Sequence, residues 1–72
     1  MTHTDKQNLI DAYMSAWFAV KTRSCVVNIE PHGWFSVVHT GSPLVHRRRA
    51  ADLLRGLVTL TDQLAKKAQV AA

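Results

Sequence analysis

Twice along its 72 residues the chain changes hydrophobic period, and few architectures accommodate both changes. From residue 9 to 20 apolar side chains recur every three or four positions; from 25 to 40 they alternate; from 50 to 68 the helical spacing returns. A period of 3.6 and a period of 2 place side chains on faces by different geometry, so each segment buries an apolar face only in its own structure. The predicted order is helix, β-hairpin, helix, an α+β arrangement in a single small domain.

The first helix is expected over residues 5–22. Thr4, Asp5, Lys6 and Gln7 have the Thr-x-x-Gln spacing of a capping box, in which two side chains satisfy the first orphan backbone donors. Behind it Leu9, Ile10, Tyr13, Met14, Trp17 and Val20 form an apolar stripe that Phe18 widens, while Asp11, Ser15 and Lys21 fall elsewhere.

Residues 23–40 read as the hairpin. Cys25, Val27 and Ile29 alternate with Val26, Asn28 and Glu30, and a second β-rich run follows Pro31-His32-Gly33. A three-residue loop of the type I plus glycine-bulge form, with Gly33 taking the positive φ, sets Glu30 opposite Trp34. One face then carries Cys25, Val27, Ile29, Phe35, Val37 and His39 and is expected to be the core face. The other carries Ser24, Val26, Asn28, Glu30, Trp34, Ser36, Val38 and Thr40, with an apolar island of Val26, Val38 and Trp34.

Gly41-Ser42-Pro43 reads as a break and a cap, with Ser42 accepting orphan amides and Pro43 pre-set for the first helical position. The second helix is therefore expected over residues 43–69, its stripe running through Ala50, Leu53, Leu54, Leu57, Val58, Leu60, Thr61, Leu64, Ala65 and Ala68. Leu44 and Val45 lie off that stripe. Either a short third strand within residues 44–47 or a hydrophobic staple at the helix start accommodates them.

A core in so short a chain rarely supplies more than about 3–5 kcal/mol, so a disulfide, a metal or a partner subunit is expected to reinforce it. Cys25 is the single cysteine, which excludes an intrachain disulfide and points to a reducing, cytoplasmic setting. The two helices differ in length, about 24 Å against about 39 Å at 1.5 Å per residue, and the longer keeps its stripe through the overhang. A two-stranded sheet is also marginal alone. Both points favour a homodimer, with Leu53, Leu57, Leu60 and Leu64 as interface residues. Gly56 costs the second helix about 1 kcal/mol against alanine, a cost explained by close approach of a neighbouring backbone or left as an incidental exposed glycine.

The formal net charge is +4, and it belongs to the second half: residues 42–72 carry six basic side chains against Asp52 and Asp62. Three of the six are Arg47, Arg48 and Arg49, which the expected helix boundary places in its first turns, where the macrodipole disfavours cations. Pairing of Arg48 or Arg49 with Asp52 is the plain structural explanation. The functional one is a patch for an anionic partner, an acidic protein surface or a nucleic acid, with Arg55 and the apolar Trp34 contributing. The order of elements matches neither a helix-turn-helix nor an aromatic-strand RNA reader.

His3, His32, His39 and His46 lack metal-ligand spacing and Cys25 has no C-x-x-C partner, so no metal is expected. No nucleophile sits with a base, no carboxylates pair and no glycine-rich phosphate loop occurs, so neither catalytic residues nor a cofactor is expected. No apolar run reaches the length of a membrane span, and the polar N-terminus does not read as a secretory signal.

The opening MTHTDKQNLIDAY and the segment RRRAADLLRGLVTLTDQLAKK, within a small basic chain of helix-hairpin-helix order, resemble small accessory proteins encoded in the early regions of Mu-like phages. That resemblance implies a non-enzymatic dimer that binds and inhibits a host protein, such as the DNA-binding part of a quorum-sensing transcription activator.

Overall fold

The computed structural model describes residues 2–71. Helix α1 spans His3–Lys21, strands β1, β2 and β3 span Cys25–Ile29, Trp34–His39 and Val45–Arg49, and helix α2 spans Ala50–Ala71. The three strands form an antiparallel meander in the order β1-β2-β3. Both helices lie on one face of the sheet, α1 packing on β1 and α2, and α2 also meeting β3. The α+β class and the order of helix, β-structure and helix are as read from the periodicity.

The N-terminal cap is Thr2 rather than Thr4. Asp5 N–H donates to Thr2 Oγ1 at 3.1 Å, and Thr2 N–H donates to the Asp5 carboxylate at 3.2 Å. A carboxylate at this third helical position answers the positive end of the helix dipole, which a glutamine three residues beyond Thr4 does not. The Thr2 backbone and hydroxyl bonds hold the Asp5 carboxyl below its usual value. At the other end Thr22 adopts a left-handed conformation, φ 57°, and its N–H donates to Phe18 O at 2.9 Å. A β-branched residue in that region is strained.

The hairpin register is the expected one: Cys25 faces His39, Val27 faces Val37 and Ile29 faces Phe35. Glu30 N–H donates to Trp34 O at 2.9 Å, closing the loop. Gly33 takes a positive φ of 79°, but His32 does too, at 62°, so the loop departs from the simple type I plus bulge form. At the open end the Ser24 and Thr40 hydroxyls meet at 2.8 Å.

The boundary of the second helix differs from the sequence reading. Residues 45–49 form β3, and α2 begins at Ala50. Ser42 does not cap a helix. Its Oγ accepts from Leu44 N–H at 3.3 Å inside the β2–β3 turn, where Gly41 has φ 84°. The physical reason is the second edge of β2, whose backbone groups need partners. Residues 45–49 lie off the helical stripe, so pairing them with β2 sacrifices no apolar burial. The cap of α2 comes from within, as Arg49 N–H donates to the Asp52 carboxylate at 3.4 Å.

The core gathers Leu9 and Ile10 of α1, Cys25, Val27, Phe35 and Val37 of the sheet, and Leu53 of α2, flanked by Tyr13, Met14, Trp17, Ala50 and Leu57. Phe35 and Leu53 are each only 1% exposed. Leu60 is also buried. Leu53 and Leu60 therefore belong to the protomer's own interior and are not available to a partner, contrary to their assignment as interface residues. Leu57 is half-buried against the core and Leu64 is exposed. The overhang also shrinks, since 19 and 22 residues give helices of about 28 and about 33 Å. Phe18 is exposed and does not widen the α1 stripe.

Gly56 is neither incidental nor a site of backbone approach. A Cβ there would lie 3.1 Å from the Tyr13 ring, so the glycine admits an aromatic side chain from α1. No helix of the described residues is long and apolar enough to cross a membrane.

Candidate partner-binding face

With both helices on one side, the other side of the sheet is uncovered. Strand alternation sorts its side chains into rows, because directly opposed residues share a face. Val26, Val38 and Val45 form one row across β1, β2 and β3; Asn28, Ser36 and Arg47 form the next; Glu30, Trp34 and Arg49 form the third. Val26 and Val45 are exposed, and the small Ser36 is buried between its longer neighbours in the row.

The Trp34 ring is the centre of the charged end. Arg49 is its direct cross-strand partner, with the guanidinium carbon 4.2 Å from the ring centroid, and Arg47, one pleat away, lies at 5.2 Å. A guanidinium over an aromatic face is attracted by the ring quadrupole, worth about 0.5–1 kcal/mol at an exposed site. That attraction holds two flexible side chains in place beside an apolar plate. Neither arginine has a carboxylate within ion-pair distance among the described residues. Their charges are open to a partner.

Arg48 sits one position between them in β3 and therefore points to the helix side, opposite Phe35. Its Nη1 donates to Arg47 O at 3.0 Å. Arg55 lies on α2 and is paired with Asp52 at 2.6 Å. Of the five candidate residues, Trp34, Arg47 and Arg49 come together and Arg48 and Arg55 do not. The sequence reading placed all three consecutive arginines on a helix, where none of them would share a strand face with Trp34. Of the two alternatives the sequence leaves open for Leu44 and Val45, a short third strand within residues 44–47 or a staple at the helix start, the strand is the one adopted, and it runs on to Arg49.

A second cluster lies on the helix side. His39 lies against Trp17 with ring centroids 4.5 Å apart and the planes tilted by 36°, and it meets His46 at 5.4 Å. Its Nδ1 and the Trp17 Nε1 are buried and have no hydrogen-bond partner among the described residues. Burial, with the neighbouring His46 and Arg48 charges, pushes the His39 imidazole below its usual value. Burial likewise pushes the Cys25 thiol up, away from the reactive thiolate. Among the described residues no three His, Cys, Asp or Glu side chains come together as a metal site.

No family model, no curated protein and no solved structure matches this chain.

Proposed function

We propose that this protein is a non-enzymatic binding module that docks an acidic protein surface on its open sheet face and thereby inhibits the protein it binds. The observation that carries this reading is the Arg47–Trp34–Arg49 cluster, two unpaired guanidiniums held against one aromatic plate beside a row of valines. Arginine forks pair bidentately with carboxylates, and Trp and Arg dominate the binding energy of protein interfaces. The valine row supplies apolar area next to the charges. The reading extends to a cytoplasmic setting, to which the unpaired Cys25 is suited, and to a host transcription regulator as the target, the role implied by the resemblance to phage accessory proteins.

A nucleic acid is the second reading, because the same trio offers a stacking surface and two phosphate ligands. It is less favoured, since sheet-based readers of single strands stack two or three bases and this face holds one aromatic ring.

The test is affinity capture from host lysate with the protein and with Arg47→Glu/Arg49→Glu, identification of the retained protein, and titration of that purified protein. In parallel, mobility shifts with DNA and RNA are run at about 150 mM salt, where weak phosphate contacts are screened. The proposal expects one protein retained by the parent and lost by the charge reversal, with no nucleic-acid shift. A saturable shift that depends on Arg47 and Arg49, without a protein partner, overturns it in favour of the second reading.

A further inference from the structure

Helix α2 carries a second apolar stripe that the protomer leaves open. Leu54 is 46% exposed, Val58 70% and Leu64 37%, and Thr61 and Ala65 are exposed beside them. Leu54, Val58, Thr61 and Ala65 follow spacings of four, three and four. This stripe lies about 120° around the helix from the buried Leu53 and Leu60, at 100° per residue. Leu57 and Leu64 occupy the flank between the two.

We propose that a second copy of this chain packs on this stripe, its α2 antiparallel to the first, with the two-fold axis passing between Thr59 and Leu60. The spacing reads the same in both directions, so the axis sets Leu54 against Ala65 of the second copy and Val58 against Thr61. Each large residue meets a smaller one, as interdigitating layers require. Leu57, Val58, Thr61, Asp62 and Ala65 line a shallow groove, and the last four form a regular set. Those four are residues i, i+3, i+4 and i+7, the hole that receives one knob in a coiled-coil seam, and the axis aims Val58 of the other copy at it.

The flanks are complementary as well. On the solvent flank the antiparallel register brings Arg55 opposite Asp62, twice by symmetry; on the core flank it brings Leu57 opposite Leu64. Within one protomer Asp62 is held only at 3.9 Å by Lys66, so its charge is largely free for the second copy, while Arg55, paired with Asp52 at 2.6 Å through one guanidinium nitrogen, has its other guanidinium donors left to reach it. A parallel pair would instead bring the charged flank of one copy, Arg55 and Asp62, against the apolar flank of the other, Leu57 and Leu64. Opposite charge on one flank and apolar side chains on the other select the antiparallel arrangement. The sheet face with Trp34 lies on the far side of the protomer and stays open, so the dimer presents two such faces. This inference does not depend on the function proposed for that face.

The test is sedimentation or light scattering over a range of concentrations. The parent protein is expected at twice 8.0 kDa in the micromolar range. Val58→Glu, at an exposed position that leaves the fold's circular dichroism unchanged, is expected to run as a monomer. Arg55→Asp and Asp62→Arg each raise the dimer dissociation constant about tenfold through two like-charge contacts, and the double swap restores it. In the Leu54→Cys/Ala65→Cys variant oxidation should give a covalent dimer on a non-reducing gel, since the two positions are about 16 Å apart within one helix and meet only between copies. A monomeric parent, or a dimer that survives Val58→Glu, overturns the proposal. A Val58-dependent dimer that neither responds to the swaps nor cross-links overturns the antiparallel register.

Discussion

Arg49 and Trp34 face each other directly across β3 and β2, and the Arg49 guanidinium lies over the Trp34 ring at 4.2 Å. The pair is made by strand register, so replacing the side chain does not move the backbone that presents it. Arg49→Lys keeps the charge and loses the planar fork and its stacking. We expect its melting temperature to stay within a few degrees of the parent, because an exposed cation–π contact is worth about 0.5–1 kcal/mol. Affinity for the acidic partner should fall about tenfold with loss of one bidentate pair. Calorimetry beside a thermal melt separates the two, and a lysine variant that binds as the parent does would show that charge alone is recognised.

Adjacent residues on α2 should respond oppositely. Leu53 is 1% exposed and Leu54 46% exposed. Leu53→Ala is expected to cost about 2–5 kcal/mol, which on a marginal fold of this size lowers the melting temperature by about 8 °C or more, at about 4–8 °C per kcal/mol. Leu54→Ala, measured on dilute protein, should change stability by no more than about 0.5 kcal/mol. Equal losses would place the helix in the wrong rotational phase.

Gly56 and Tyr13 should be coupled. Alanine at position 56 removes a helix penalty of about 1 kcal/mol but sets a Cβ 3.1 Å from the Tyr13 ring, tighter than ordinary contact. Tyr13 is only half-buried and its ring can shift by a few tenths of an ångström, so Gly56→Ala alone should be close to neutral. In a Tyr13→Ala background, with the ring gone, the same change should stabilise by about 1 kcal/mol. A double-mutant cycle by denaturant unfolding measures this, and strict additivity would mean that the two residues do not touch.

Acid should weaken the fold through His39. Its imidazole titrates below the ordinary value in the folded chain because burial against Trp17 penalises the cation, with His46 and Arg48 adding repulsion. The unfolded chain then binds the proton first. Stability is fully present above about pH 6.5 and is lost as pH falls from there towards the lowered folded value, after which this contribution levels off. Denaturant midpoints between about pH 5 and pH 8 should follow that course. His39→Phe keeps an aromatic ring beside Trp17 and should flatten it; an unchanged profile in that variant assigns the titration elsewhere.

The hairpin was legible because its determinants are local. Alternation from Cys25 to Thr40 and a three-residue loop ending in Gly33 are enough to set which residues oppose which, and the register of Val27 with Val37 follows by counting. The stripe of α1 was legible for the same reason, through Leu9 and Ile10. Its cap was displaced by two residues because two threonines compete there, and the electrostatics of Asp5 decided between them.

What the sequence by itself determined is therefore the class, the order of elements, the hairpin register and the concentration of positive charge around residues 47–49. What only the tertiary structure decided is which structure those residues adopt. Residues 45–49 have no strong period of their own, and the outcome rests on a remote demand, the unpaired edge of β2, which is invisible until the hairpin exists. Once they are a strand, Arg47 and Arg49 share the open face with Trp34 while Arg48 points to the helices. The same holds for α2, where Leu53 and Leu54 belong to one apolar run in the chain. Only the packing of α1 and the sheet makes one of them core and leaves the other on the surface, because burial is a property of what surrounds a side chain and not of the side chain alone.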